Sequence, residues 1–155
     1  MPSQRAIPSK TLTGDYVLAR FDDTSILLDQ SCVSGVQVLD GPLASSEHPG
    51  LFEYAGEDET IPAVAPTRQF ALLPAVPESR RFLLVLSIDG ASLGVACDAV
   101  QVLPACNFDN RPLPIIMRLQ KSPVRYMVEV HEHLAFYCDA AHLFAVFTGM
   151  EYEHV

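Results

Sequence analysis

The residues best suited to chemistry gather in the C-terminal third. His131, Glu132 and His133 are consecutive, and Asp139 and His142 follow closely. In an extended segment positions i and i+2 share a face, so His131 and His133 could together hold one ion, as imidazoles do in zinc sites. No HExxH helix and no cysteine of matching spacing supports them. The reading adopted is therefore two histidines on a solvated hairpin turn, and no metal. Glu57-Asp58-Glu59 could bind a hard cation, but adjacent acids on a turn are ordinarily just hydrated. Cys32, Cys97, Cys106 and Cys138 form no CxxC pair. Each lies in or beside an apolar run, where burial raises a thiol's pKa and makes it inert. No GxSxG is present, and Gly90 and Gly94 precede strand-like residues, so neither opens a phosphate-binding helix. The sequence predicts no catalytic residue, no cofactor and no metal.

The elements that would position these residues are mostly short strands. Tyr16–Phe21 and Ser25–Leu28 read as a hairpin across Asp22-Asp23. Asp29-Gln30-Ser31 reads as one helical turn before Val33, and residues 40–50 as a loop. Leu51–Tyr54 and Thr60–Val64 are short strands, and the prolines of 65–79 mark a connection between two halves. Arg81–Ile88 and Ser92–Cys97 pair across Asp89-Gly90, a strong turn dipeptide. Ala99–Leu103 is a third strand, expected to stop at Pro104, with 104–114 as loop. Val124–Val130 and Leu134–Cys138 form a last hairpin. Asp139 caps a helix over 140–148, where Ala140, Leu143, Phe144 and Phe147 recur at helical spacing and Gly149 follows. Residues 1–14 read as a flexible arm and 15–150 as a single domain.

The stretch Tyr16–Leu39 is a faded copy of Phe82–Leu103. Each has an aromatic opening, a strand, a polar turn, a second strand, an Asp and a Val-rich run. The tetrapeptide VQVL occurs in both but is out of register when the copies are aligned on Asp29 and Asp98. Two such units predict two small β-barrels sharing an apolar interface, with Phe82–Leu86 central. Net charge is −9, so a phosphate backbone would be repelled and nucleic acid is excluded as a partner. Apolar residues reach 49% while charged residues are only 19%, below the roughly 25% of average proteins. Surplus apolar surface of this kind points to a protein interface. The longest apolar runs are too short to span a membrane, and the opening residues lack an export signal, so a cytoplasmic location is expected.

Several segments, in order, resemble the CheW-like domain family of bacterial chemosensory adaptors. Tyr16-Val17-Leu18-Ala19-Arg20-Phe21 is similar to the family's opening strand, and Leu28–Val36 to the segment after its second strand. Gly50-Leu51-Phe52-Glu53-Tyr54-Ala55-Gly56 resembles Gly-x-x-Asn-Leu-Arg-Gly, with Ile61-Pro62 following. Gly94-Val95-Ala96-Cys97-Asp98-Ala99-Val100 resembles Gly-Leu-x-Val-Asp-x-Val, and Cys138–Leu143 the closing Leu-Asp-x-x-x-Leu. The resemblance implies two five-stranded β-barrel subdomains and a short C-terminal helix. It also implies a non-enzymatic scaffold that binds the regulatory domain of a CheA-type histidine kinase and chemoreceptor cytoplasmic tips. Carried over by position, it implies partner-binding roles for Val33, Gly35, Val36, Gly50, Ala55, Gly56, Gly94, Asp98 and Val100. The chain departs from the pattern where Ala55 replaces the family's Arg and Gly35 its Glu, and two residues are added within 56–61. Such departures fit a diverged adaptor of another pathway, such as pilus motility, and a metal-binding β-barrel enzyme using His131, His133 and Asp139 is the alternative from a different class.

Overall fold

The computed structural model describes residues 11–56, 59–111 and 123–148. The strands are β1 (Thr11–Phe21), β2 (Thr24–Asp29), β3 (Val33–Val38), β4 (Ala44–Ser45), β5 (Phe52–Ala55), β6 (Thr60–Val64), β7 (Phe82–Ile88), β8 (Ala91–Cys97), β9 (Ala99–Arg111), β10 (Val124–Val130) and β11 (His133–Cys138). A single 3-10 turn at Gln30–Cys32 separates β2 from β3, and one helix, α1 (Ala140–Thr148), follows β11. The fold is mostly β in two units with a short helix, as expected. The first unit is a closed five-stranded barrel in the order β1-β2-β11-β10-β9. The second is a six-stranded sheet in the order β3-β7-β8-β6-β5-β4, where a five-stranded barrel was expected.

The two units are built alike. Hairpin β1–β2 in the first corresponds to hairpin β7–β8 in the second. Each hairpin takes a parallel neighbour on its second strand: β11 on β2 (Phe136 opposite Ile26) and β6 on β8 (Ala63 opposite Gly94). Each takes an antiparallel neighbour on its first strand, β9 on β1 and β3 on β7. Here the expected meanders fail in one respect. After the hairpin the third strand of each copy leaves for the other unit, so residues 33–97 form the second unit inside a first unit made of 11–29 and 99–138. VQVL falls on these crossing strands. Val36 lies opposite Leu84 and Val102 opposite Val17, which are matching hairpin positions, so the tetrapeptide is displaced by two residues between copies.

What closes one unit and opens the other is strand length. β9 runs far enough for Arg111 and Asn110 to pair with Met127 and Val128 of β10. Its counterpart is broken: β3 stops at Val38, and only after Asp40-Gly41-Pro42 does the chain return as β4 to pair with β5. The expectation that Pro104 ends a strand is corrected. Gly14 opposes Cys106 and Tyr16 opposes Leu103, so Pro104 and Ala105 together face Asp15 alone. Proline's missing N–H is tolerated at such a bulge because the ladder is already interrupted there. Residues 104–111, read as loop, are therefore strand, β4 lies within the loop expected at 40–50, and 11–14 of the expected arm are strand. Gly149 lies outside the described residues.

Three two-residue turns join the hairpins. Asp22-Asp23, Asp89-Gly90 and His131-Glu132 all have positive φ at both positions, the signature of the twist-matched type I′ turn. Alternation then sorts the side chains. Tyr16, Leu27, Leu103, Val128, Val130 and Ala135 fill the barrel. Phe52, Ala63, Leu83, Val85 and Ala96 form the core of the second unit. A third cluster, with Val17, Phe21, Ile26 and Leu28 from the barrel and Leu84, Leu86, Leu93 and Val95 from the sheet, joins the two. β7 thus feeds two cores from its two faces, which accounts for its near-continuous apolar sequence. Leu143 and Phe147 of α1 complete the joint.

Candidate functional site

The second unit offers the site, because its closing strand is broken. Among the described residues β3 pairs only with β7. The Leu39 amide donates to the Arg81 carbonyl at 2.8 Å, which fixes the phase of the ladder. Antiparallel pairs alternate, so Gln37 turns its backbone groups toward β7 while Val36 and Val38 turn theirs outward. These two residues also carry exposed aliphatic side chains, at 38% and 62% of full accessibility. Apolar side chains and free backbone groups on one edge are the features that strand-pairing partners use. Across the seam stands the end of β5, where the Tyr54 hydroxyl donates to Gln37 Oε1 at 3.4 Å. A recess of about 320 Å³ lies in the seam, lined by Val38, Tyr54 and Ala55 with the carboxylates of Asp40 and Glu53.

Of the sequence-predicted residues, Val33, Gly35 and Val36 lie on β3, and Ala55 and Gly56 lie at the end of β5. Gly35 has open space around its Cα, the nearest atom to an added Cβ being Gln37 Nε2 at 4.0 Å. Ala55 is exposed. Gly50 and Gly94 instead serve the backbone. Gly50 sits at φ +84°, a left-handed conformation that favours glycine. Gly94 is buried so close to Leu83 that a Cβ would come within 2.8 Å of its Cδ2. Neither presents a surface to a partner. Val100 is the second residue of β9 on the barrel and is half-buried.

Asp98 marks the second crossing between units and leads to a residue the sequence reading missed. Arg80 is buried, at 2% exposure, in a chain with few cations. Its guanidinium lies 3.0 Å from Asp22 of the β1–β2 turn and 3.2 Å from Asp98, donates to the carbonyls of Pro66 (2.9 Å) and Ala96 (3.1 Å), and stacks over the Phe21 ring. Arg80 Nε is within ion-pair distance of Asp98 but is not aligned as a hydrogen bond. Asp98 also accepts the Asp22 amide and the Ser79 hydroxyl, each at 3.1 Å. One guanidinium therefore pins the barrel's first turn to the sheet's last strand. The available signal was the Arg80-Arg81 pair together with Asp22 and Asp98, which sequence spacing alone does not join.

No protein-family model matches the sequence, and no curated protein does. Among solved structures, the scaffolding protein TtCheW from Thermoanaerobacter tengcongensis superposes with a TM-score of 0.67 over 86% of this chain and 88% of its own, at 18% identity. The fold is CheW-like. Within this CheW-like fold the alternative pairing of His131 and His133 on one ion lacks the geometry it assumed. His131 is a turn residue at φ 51° and His133 already belongs to β11, so the i, i+2 geometry of an extended segment does not apply. Among the described residues no group of three His, Cys, Asp or Glu side chains is placed to hold a metal ion. Asp139 is the helix cap, accepting the amides of Ala141 (2.9 Å) and His142 (3.3 Å). Burial pushes its pKa up, but those amides and the His142 side chain outweigh it and leave the carboxyl below its ordinary value. Burial pushes Cys97 up to about 12 and Cys32 to about 11, and it raises Cys138 as well. At the first crossing Tyr137 donates to Asp29 at 2.8 Å, and burial followed by that bond raises the phenol's pKa. No described helix is long and apolar enough to cross a membrane.

Proposed function

We propose that this chain is a non-enzymatic, cytoplasmic adaptor of a bacterial chemosensory complex that binds the regulatory domain of a CheA-type histidine kinase. The observation that carries the reading is the CheW-like pair of interleaved β units with an open, aliphatic edge at Val36 and Val38. Such a surface holds a partner; it does not assemble a nucleophile, a base and an oxyanion site. The test is gel filtration and cross-linking with the regulatory domain of the cognate CheA-type histidine kinase. A one-to-one complex is expected, and failure to form one at high micromolar concentration overturns the reading.

Coupling to chemoreceptor tips is expected to be weak. An interfacial Arg binds through charge-assisted, often bidentate bonds, and losing one at a hot spot costs about 2 kcal/mol, roughly thirtyfold in affinity. The methyl of Ala55 and the bare Gly35 make no such bonds, and the seam beside them carries carboxylates. This favours a specialised adaptor, in pilus motility or a dedicated complex, over the main coupling protein of an array. In a strain lacking its main CheW, partial rescue of swimming appearing only with Ala55→Arg supports this, and full rescue by the unmodified chain refutes it.

A further inference from the structure

The barrel of the first unit has a mouth that the adaptor reading leaves without a role. Register sorts its inward side chains into rows. Tyr16, Leu103 and the Tyr137–Asp29 hydrogen bond close one end. In the next row Leu18 stands opposite both Leu27 and Gln101, and Leu27 faces Tyr137 of β11. Nearer the mouth Arg20 stands opposite both Ser25 and Ala99. The β2–β11 register brings Ala135 level with Ser25, and His133, two residues earlier on the same face, lies further out toward the turns. Ala99 and Ala135 are too small to fill the barrel where they point. The result is a cleft of about 690 Å³ reaching from the turn tips down to Leu18 and Ala135. That volume falls within the range of small-molecule sites, and barrel mouths are a recurrent place for them.

Several polar groups converge there. Among the described residues Arg20, Ser25, Gln101 and His133 make no side-chain hydrogen bond or ion pair. Asp23 lines the outer rim on the β1–β2 turn without pairing with Arg20, and His131 lines it on the β10–β11 turn. Arg20 is solvent-exposed and lines the cleft with no carboxylate partner among the described residues, and a guanidinium so placed can donate two parallel hydrogen bonds to an anion. The floor below it is aliphatic. We propose that the barrel mouth binds a small aliphatic carboxylate, its anionic head between Arg20 and His133 and its chain over Leu18 and Ala135. The carboxylate comes either from a free metabolite-sized acid or from the C-terminus of a partner chain.

The test is amide NMR of the full chain titrated with sodium hexanoate, hexan-1-ol, and acetyl-Val-Leu as free acid and as amide. Expected are saturable shifts at Leu18, Arg20, Gln101 and Ala135 with hexanoate, with a dissociation constant on the order of 1 mM for so small a ligand. Hexanol and the peptide amide should bind about tenfold more weakly or not at all, and Arg20→Gln should weaken hexanoate by about tenfold. Ala135→Leu, which fills the floor, should abolish binding; if it does not fold, Ala99→Leu replaces it. Tighter binding by acetyl-Val-Leu acid than by hexanoate assigns the source to a chain terminus, and the reverse assigns it to a free acid. No saturable shift at about 20 mM hexanoate, shifts mapping elsewhere, equal binding of hexanol, or indifference to Arg20→Gln each overturns the proposal. The titration contains no kinase domain, so its failure and the failure of the adaptor reading are separate results.

Discussion

Arg80→Met removes the charge that joins the two units while keeping the aliphatic stem. The Arg80 side chain is fully inaccessible, whereas those of Asp22 and Asp98 retain 44% and 23% of their exposure. Deleting the guanidinium strips a charged donor from two buried carbonyls, those of Pro66 and Ala96. Each such loss costs about 1–3 kcal/mol. The Asp22 pair adds little, about 0.5 kcal/mol, because water screens a carboxylate exposed to that degree. Asp98 keeps the Ser79 hydroxyl and the Asp22 amide, so its loss of Arg80 is partly compensated. The sum is about 3–5 kcal/mol, the usual cost of breaking a buried charge pair and a large share of the roughly 5–15 kcal/mol that holds a domain together. Asp98→Ala should cost less, about 1–2 kcal/mol, and Asp22→Ala least. Urea unfolding followed by circular dichroism reads all three as midpoint shifts at constant slope. A cost below about 1 kcal/mol for Arg80→Met, or Asp22→Ala exceeding Asp98→Ala, refutes the clamp.

Gly94→Ala should destabilise by about 1–3 kcal/mol, since its Cβ must displace the buried Leu83 side chain; a midpoint unchanged from the parent contradicts that packing. Asp139→Ala should cost about 1 kcal/mol at neutral pH through loss of the cap. Because the folded pKa of Asp139 is depressed, its contribution is present above the ordinary 3.8 and fades as pH falls through the folded value, so the gap between parent and variant should narrow in acid; a gap that widens in acid is the contrary result. Cys97 and Cys138 are buried with raised pKa and should resist maleimide at pH 8 until the chain unfolds, while half-buried Cys32 reacts slowly; peptide mass mapping of the labelled native protein decides this.

Strands whose pattern is local were legible in the sequence. Thr60–Val64, Val124–Val130 and the helix at 140–148 lie where alternation, turn residues and capping place them. The Pro104 boundary was misplaced because a bulge depends on the partner strand, and nothing near Pro104 announces Asp15. The duplication was visible, but the departure of each third strand to the other unit was not, because two halves with similar hairpins pair equally well on paper. For the candidate site, Val33, Gly35, Val36, Ala55 and Gly56 were named through resemblance; the first three lie on β3, Ala55 ends β5 and Gly56 follows it. Gly50 and Gly94 were carried along by the same motifs although they serve the backbone, since a glycine in a motif does not say whether it faces a partner or a neighbouring side chain. Arg80 was missed because its partners, Asp22 and Asp98, are brought to it only by the tertiary fold.

The nesting of the second unit within the first has a consequence for synthesis. β1 and β2 leave the ribosome first but cannot form their barrel until β9, β10 and β11 arrive, after the whole of residues 33–97 has been made. At about 5–20 residues per second that is a delay of several seconds or more, with an apolar hairpin waiting and both its edges open. The inner unit, contiguous in the chain, can assemble meanwhile. It offers Leu84, Leu86, Leu93 and Val95 as a ready surface on which Val17, Phe21, Ile26 and Leu28 can shelter. The order of the strands along the chain thus makes the inserted unit a scaffold for the outer one before either meets a partner.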